Sequence, residues 1–275
     1  MRTSLSLGVR GLRRSPRQAL WRLWMPLDID RVHELPWAGR QMVAAGPARI
    51  LDISSPKLLA CWLAEHTSAE VVATDVWVDE IQSWSELVAH ADPRGRRFGR
   101  LSLEVADATA LPYDDASFDA VFSVSVIEHL PYETDGAMMR EIARVLRPGG
   151  IAALTFPYRE QYAEEFVSHD LYGQRYTGTP LFFYRHYDEQ TVDQRLLAGL
   201  DLDVVERGIW TKSGVREASD ASRRILPTGV GLGRAFGPGL VVIGARAMRP
   251  GQLTQLAKDN VMHLALRRRE AEPSS

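Results

Sequence analysis

Three aspartates accompany apolar, β-branched runs that are predicted to be strands. Asp52 lies in the run that begins at Arg49, Asp75 follows a second run, and Asp107 ends a third. Open α/β sheets bind ligands at the carboxyl ends of their strands. A carboxylate has two oxygens, so Asp75 is suited to accept both hydroxyls of a ribose. The same geometry serves nicotinamide cofactors, so Asp75 alone does not identify the ligand.

A histidine comes directly after the predicted fourth strand, which runs from Phe118 to Val126. At this position the imidazole of His129 is expected to reach the mouth of the ligand pocket. A pKa near neutrality suits it to take a proton from an attacking hydroxyl. The alternative is that His129 only ties the loop to the following helix by hydrogen bonds.

The segment between Phe118 and Phe156 is predicted to be a strand, a helix and a strand. Met138, Ile142 and Val145 recur at three- and four-residue spacing, which is typical of an amphipathic helix. The pair Gly149-Gly150 is expected to close this helix. The second strand should then lie parallel to the first after a right-handed crossover.

Bulk composition predicts an ordinary globular protein. The 275 residues are 45% hydrophobic and 25% charged, with a formal net charge of −2, so no overall attraction to nucleic acid is expected. The lone cysteine, Cys61, excludes an intrachain disulfide, and no apolar run is long enough to span a bilayer. We expect a soluble, cytoplasmic protein. Zinc-type Cys/His spacing is absent from the sequence, so no metal is expected.

Several spaced signatures carry a resemblance to a known family. They are Asp107-Ala108, Leu111-Pro112, Phe118-Asp119, Ile127 to Leu130 and Arg144 to Gly150. This order resembles the class I S-adenosylmethionine (SAM) dependent methyltransferases, in particular the small-molecule, type 11-like branch. The resemblance implies a Rossmann-like, doubly wound sheet of seven strands, six parallel and one antiparallel, with helices on both faces.

The resemblance also implies SAM as the cofactor. Its ligands would be the residues that match the strand ends of the family. They are Asp52, Ser54, Asp75, Val76, Asp107, Ala108, Ser123 and Val124.

The loop after the first strand departs from the family pattern. The three glycines expected there are replaced in the run Asp52-Ile53-Ser54-Ser55-Pro56-Lys57-Leu58. Glycine normally allows close approach of the backbone to the ligand and positive φ. Serine is small, and Ser54 or Ser55 is expected to cap the next helix through its hydroxyl. Lys57 either faces the methionyl carboxylate or is a solvated lysine at a helix start.

The remaining segments give the domain organisation. Residues 1–47 are predicted to be a basic arm and a cap segment, 48–250 the SAM-binding domain, and 251–275 a C-terminal helix and tail. Inside the domain, 211–238 is predicted to be a flexible connection and 158–187 an aromatic insertion on the substrate side. Its candidate substrate residues are Tyr158, His169, Tyr172 and His186.

The favoured function is methyl transfer from SAM to a small or medium-sized metabolite by direct displacement, at oxygen, nitrogen or carbon. The alternative is an inactive methyltransferase-like binding or scaffold protein, because the cofactor loop is degenerate. A nicotinamide dehydrogenase is disfavoured, since no GxGxxG follows the first strand. The expected partner is a small-molecule acceptor and not nucleic acid. Membrane contact through the arginine-rich arm is less favoured than packing of its tryptophans onto the domain.

Overall fold

The computed structural model describes residues 31–171, 174–211, 249–250 and 260–270. Its main element is a mixed sheet of eight strands in the order β3-β2-β1-β4-β5-β10-β8-β9. A separate hairpin is formed by β6 and β7. The strands are β1 Arg49–Ile53, β2 Glu70–Asp75, β3 Leu101–Val105, β4 Phe118–Val124, β5 Leu146–Tyr158, β6 Ala163–Val167, β7 Leu181–His186, β8 Leu202–Thr211, β9 Arg249–Pro250 and β10 Asn260–Arg268.

The predicted sheet is confirmed. Strands β1 to β5 pair parallel to their neighbours, and β10 runs antiparallel between β5 and β8. Strand β8 is therefore parallel to the first five, which gives six parallel strands and one antiparallel strand. The two-residue β9 adds an antiparallel edge to β8. The carboxyl ends of β1 to β5 consequently lie along one edge of the sheet, where the strand-end acids are found.

Helices connect the parallel strands. The helices after β1, β2 and β4 form from segments whose apolar residues recur at helical spacing, as this pattern predicts. The helices are α1 Arg31–Ala45, α2 Leu58–His66, α3 Val78–Ala91, α4 Thr134–Val145 and α5 Glu189–Thr191, which continues as a π-helix over Val192–Leu197; a 3₁₀ turn covers Ile127–His129.

The core has apolar layers on both faces of the sheet. On one face Met138, Met139 and Ile142 of α4 pack against the inner residues of β1, β4, β5 and β10. On the other face, Trp37 of α1 and Leu63 of α2 belong to a second buried cluster. Burial on both sides explains why the central strands are almost continuously apolar. The sheet edge that carries the acids is thus held by packing from above and below.

The C-terminal helix predicted over 253–269 is wrong, because residues 260–268 form strand β10. This strand lies between β5 and β8, and six of its nine residues are buried. A short apolar run buried on both faces has no alternation, so its periodicity does not separate a strand from a buried helix. The sheet therefore extends past the predicted domain end at residue 250. The strand predicted over 239–248 lies outside the described residues.

The helix before β5 ends earlier than predicted. Helix α4 stops at Val145, and Gly149 and Gly150 lie inside β5 near an irregularity in its pairing with β4. Gly149 has a φ of +76°, which a residue without Cβ adopts without strain. The glycine pair thus shapes the start of a strand. The predicted cap at Asp188 is confirmed, because its side chain accepts from Thr191 N–H in a capping box.

Several predicted segments lie wholly or mostly outside the described residues. They are the basic arm over residues 1–27 and the flexible connection over 211–238, of which only Thr211 is described, as the end of β8. The cap segment is described from Arg31 and forms α1. Across the described ranges, no helix has the length and apolarity needed to cross a membrane.

Candidate cofactor and acceptor site

The loop after β1 keeps the backbone shape of a glycine loop without a glycine. Ser54 has a φ of +54°, in the left-handed region that glycine usually occupies. Its N–H donates to the carbonyl oxygen of Thr74 on β2 at 3.0 Å. Serine therefore builds the turn at some conformational strain, and strain of this kind concentrates at ligand sites.

Ser55 ties this loop to the neighbouring strands. Its N–H donates to Asp52 Oδ1 at 3.0 Å, and its Oγ accepts from the N–H of Val124 on β4 at 2.9 Å. The predicted serine cap is wrong, since α2 begins at Leu58 and its N-cap is Lys57, with no side-chain cap bond. The hydroxyl of Ser55 is engaged with β4 and is not available for the helix.

Lys57 is buried, with 1% of its surface exposed, so the interpretation as a solvated lysine is wrong. Its Nζ donates to the carbonyl oxygen of Ser55 at 2.7 Å. The ammonium also lies 3.8 Å from Asp52 Oδ2 and 3.6 Å from Asp75 Oδ2. We call Asp52, Lys57 and Asp75 the loop-side cluster. It brings together two of the three predicted acids around a cation.

Asp52 is fully buried. Burial raises its pKa to about 6, and the nearby Lys57 ammonium opposes this shift. Its Oδ2 atom is buried and accepts no hydrogen bond from any described residue. A buried, unsatisfied carboxylate oxygen is rare in native proteins and calls for a donor.

The other predicted cofactor ligands line the same edge. Asp75 ends β2 and is nearly buried, while Val76 beside it is exposed. Asp107 is exposed after β3, and its Oδ1 accepts from Thr109 N–H and Oγ1 at 2.8 and 2.7 Å. Ala108 is buried.

Ser123 and Val124 lie at the end of β4 and are both buried. The hydroxyl of Ser123 donates to the carbonyl oxygen of Ile53 at 3.0 Å. Ser123 therefore braces β1 against β4 beneath the loop. Val124 contributes its N–H to Ser55, as described above, and its side chain to the core.

His129 lies in the 3₁₀ turn after β4 and contacts the hairpin. Its Nδ1 lies 2.9 Å from the carbonyl oxygen of Phe183 on β7. A carbonyl oxygen only accepts, so Nδ1 carries the proton and Nε2 is the basic nitrogen. Burial lowers the pKa of His129, the hydrogen bond to Phe183 opposes this, and the charge of Arg31 lowers the pKa further. The side chain is therefore neutral at physiological pH.

A second group of buried charges holds the loop that carries His129. Asp135 at the start of α4 accepts from Arg185 of β7, from Tyr187 and from Arg195 of the π-helix, at 2.9 to 3.0 Å. Arg185 also donates to the carbonyl oxygens of Leu130 and Tyr132 at 2.6 and 3.0 Å. We call Asp135, Arg185, Tyr187 and Arg195 the hairpin-side cluster. It fixes the turn of His129 against β7.

Glu34 of α1 is a site residue that the sequence did not reveal. Its Oε1 accepts from Ser125 Oγ at 2.7 Å and from Thr155 Oγ1 at 2.8 Å, at the carboxyl ends of β4 and β5. It also pairs with Arg31 one turn earlier. The carboxylate is fully buried. A single acid in the first turn of a helix is common, so no sequence signal distinguished it.

The predicted substrate residues have different surroundings. Tyr158 is buried, and its hydroxyl lies 3.5 Å from Glu189. His186 is buried with Nε2 3.0 Å from Glu165, whereas His169 is exposed. Tyr172 lies outside the described residues. Nearer to His129 are the rings of Phe183 and Tyr184, with centroids at 5.6 and 5.9 Å.

The strand order and the three strand-end acids define a Rossmann-like domain whose cofactor edge lies at β1, β2 and β3. Residues 51–154 match the family model described as a methyltransferase domain. This range begins in β1 and ends in β5, so it contains the loop-side cluster, Asp107 and His129. This part of the chain is therefore similar to the class I SAM-dependent methyltransferases of the type 11 branch.

Curated relatives are similar to part of this chain, and a solved structure shares its fold. "Methyltransferase GfsG" of Streptomyces halstedii is 39% identical over 47% of this chain and 46% of its own length. "27-O-demethylrifamycin SV methyltransferase" of Amycolatopsis mediterranei is 38% identical over 42% of this chain and 41% of its own. The matched part thus spans less than half of either relative. The crystal structure of the [4+2]-cyclase SpnF has a TM-score of 0.57 at 18% identity, covering 87% of this chain and 81% of its own, which shows a shared fold.

Proposed function

We propose that this chain transfers a methyl group from SAM to a hydroxyl oxygen of a small molecule. The observation that carries the proposal is the loop-side cluster, in which Asp52 and Asp75 end neighbouring strands and Asp52 Oδ2 lacks a donor. A buried acid without a donor fits the ammonium group of a cofactor, and Asp75 fits its ribose hydroxyls.

The residues at the carboxyl ends of β1, β2 and β3 provide a suitable partner for each part of SAM. Asp75 would hold the ribose, Asp107 and the backbone N–H of Ala108 the adenine, and Asp52 with the strained Ser54 turn the methionyl group. When bound, SAM supplies the electrophilic methyl group and the leaving sulfide. The fit does not depend on the missing glycines, because Ser54 adopts the left-handed φ and Ser55 joins the loop to β4.

The protein itself must align the acceptor and exclude water. Helix α1 covers the ends of β4 and β5 through Glu34, and β7 covers the turn of His129. His129 is proposed as the general base. Its neutral form, protonated on Nδ1, presents Nε2 as the atom that takes the hydroxyl proton.

The proposed acceptor class rests on the relatives and on the insertion. The name of one relative specifies an oxygen of a demethylrifamycin, a small molecule with a free hydroxyl. The Phe183 and Tyr184 rings beside His129 give apolar surface of the kind that binds such molecules. The near-neutral net charge and the single cysteine support a cytoplasmic protein that does not act on nucleic acid.

The inactive scaffold is the rival proposal. It was motivated by the loss of three glycines, whereas the loop is built with the glycine-type turn at Ser54. Asp52, Asp75 and Asp107 are all retained at their strand ends. Loss of function would be expected to alter these positions as well, so we favour the active enzyme.

Turnover tests the proposal directly. The purified chain, SAM and a panel of hydroxyl-bearing small molecules are incubated, and mass spectrometry follows S-adenosylhomocysteine release and a methylated product. We expect release that depends on an acceptor and is abolished in Asp75→Ala. If the protein binds SAM but no acceptor in a broad panel leads to release of S-adenosylhomocysteine, the result would favour the scaffold.

The role of His129 is tested once an acceptor is found. Replacement by glutamine removes the basic nitrogen, so the transfer rate is expected to fall by about 10²–10⁴-fold. The wild-type rate should decline on acidification through a pKa below 6.5, because burial lowers the pKa of His129. His90→Gln, on the exposed side of α3, is the matched control. An unchanged rate and pH profile in His129→Gln would eliminate the general-base role.

A further inference from the structure

Lys57 is a buried ammonium with fewer acceptors than it has protons. The Ser55 carbonyl oxygen, at 2.7 Å, is the one acceptor within hydrogen-bond distance among the described residues. The contacts with Asp52 at 3.8 Å and Asp75 at 3.6 Å are ionic but too long for hydrogen bonds. An ammonium has three N–H donors. The site therefore has room for at least one further acceptor at Lys57.

Asp52 presents the complementary deficit. Its Oδ1 is satisfied by Ser55, but Oδ2 is buried, accepts no hydrogen bond from the described residues and faces Lys57. Leaving such groups unsatisfied away from water costs free energy, and the cost is greater for charged groups than for neutral ones. One acceptor and one donor, presented close together, would satisfy both residues.

A zwitterionic α-amino acid group has this chemistry. Its carboxylate accepts from an ammonium, and its own ammonium donates to a carboxylate. The loop-side cluster carries one net negative charge, from two carboxylates and one ammonium. A zwitterion leaves that charge unchanged, and an adjacent sulfonium would neutralise it. The charge of the cluster thus matches the whole amino acid end of SAM.

We propose that Lys57 binds the α-carboxylate of the methionyl group, while Asp52 binds its ammonium and Asp75 is left to the ribose. This inference rests on the proposed function and assigns a ligand to the residue where the glycine-rich loop is lost. In this chain a side chain at the start of α2 would bind part of the methionyl group, for which the family otherwise uses the glycine loop.

A pair of ligands tests the proposal by calorimetric titration. S-adenosylhomocysteine and S-adenosyl-3-thiopropylamine differ only in the α-carboxylate, and both keep the amine for Asp52 and the ribose for Asp75. We expect wild-type protein to bind S-adenosylhomocysteine at least tenfold more tightly than the decarboxylated ligand. Lys57→Met should reduce this ratio to about one, mainly by weakening S-adenosylhomocysteine. Lys57→Arg, which retains the charge, should keep a preference for the carboxylate.

Two results would overturn the proposal while leaving the proposed function intact. One is equal binding of both ligands by wild-type protein, which needs no variant and so is decisive even if Lys57→Met does not fold. The other is an equal loss of affinity for both ligands in a folded Lys57→Met, which would show that Lys57 supports the loop and does not bind the carboxylate. No binding of S-adenosylhomocysteine by folded wild-type protein would instead contradict the proposed function itself.

Discussion

Asp135 and Asp52 are both buried carboxylates beside a basic side chain, and they are paired very differently. The two oxygens of Asp135 accept five hydrogen bonds of 2.8 to 3.0 Å, from Gly136, Arg185, Tyr187 and Arg195. One oxygen of Asp52 accepts none from the described residues, and its lysine lies 3.8 Å away.

This difference is the one expected between a site that supports the fold and a site that binds a ligand. A charge network whose polar atoms are nearly all satisfied rigidifies the fold and has little capacity for a ligand. A cluster with an unsatisfied acceptor, and with an ammonium that has fewer acceptors than N–H groups, is less stable on its own. Such a cluster is stabilised most by a bound ligand. The hairpin-side cluster therefore holds the turn of His129 in place, and the loop-side cluster is where binding energy is available.

The largest effect is expected at the hairpin-side cluster. Asp135→Ala leaves the buried Arg185 and the partly buried Arg195 without their common partner, so we expect a loss of about 3–5 kcal/mol in the free energy of unfolding. Urea denaturation measures it. Glu133→Ala is the matched control, because it also removes an ion pair of Arg195 but at an exposed position, and it should lose less than about 1 kcal/mol. Similar losses in both variants would break the comparison.

Asp52→Asn should instead gain stability relative to the wild type, by an amount that increases with pH. The folded-state pKa of Asp52 is raised from 3.8 to about 6, so between these values the folded protein binds more protons than the unfolded chain. The contribution of Asp52 to stability is therefore present at low pH and is lost as pH rises through about 6. Asn cannot titrate, so the variant should gain stability relative to the wild type by about 2 kcal/mol from pH 4 to 7.

Urea unfolding of both proteins at a series of pH values measures this difference. Asp92→Asn is the contrasting control. Burial raises the pKa of Asp92, but hydrogen bonds from the backbone N–H groups of Phe98, Arg97 and Arg96, with the charge of Arg97, together outweigh burial and lower the pKa. The free energy of unfolding of Asp92→Asn should therefore fall relative to that of the wild type as pH rises. A pH-independent difference for Asp52→Asn would mean that Asp52 is satisfied and has no need of a ligand.

The smallest effect is expected at the strained turn. Ser54→Gly relieves the left-handed φ of +54° but adds freedom to the unfolded chain, so a net gain of about 0.5 kcal/mol is expected. Ala116→Gly has a φ of +53° away from the loop and should gain a similar amount. A loss of stability in Ser54→Gly alone, by urea denaturation, would show that the serine side chain supports the loop.

The sheet was largely predictable because its parallel strands are short apolar runs ended by acids and separated by helical periodicity. Strand β10 was not, because burial on both faces removed the alternation that identifies strands. Asp52, Ser54 and Asp75 were predicted as site residues because they match the strand-end positions of the family, and not from any contact between them.

Tertiary contacts determine the rest of the site. The burial of Lys57 depends on how the loop folds back over Asp52, and a lysine at a helix start is usually solvated. Glu34 reaches β4 and β5 across 91 and 121 residues of sequence, which no local pattern records. The aromatic insertion was recognised by composition, but its partner for His129 is a backbone oxygen of Phe183, which composition does not specify.

Calorimetric titration of the full chain with SAM and S-adenosylhomocysteine tests most directly that the loop-side cluster is a cofactor site. We expect micromolar dissociation constants for the wild type, and loss of binding in both Asp75→Ala and Asp107→Ala without loss of fold. Absence of binding by well-folded protein, or binding that survives both substitutions, would contradict the assignment of the cofactor to this edge of the sheet.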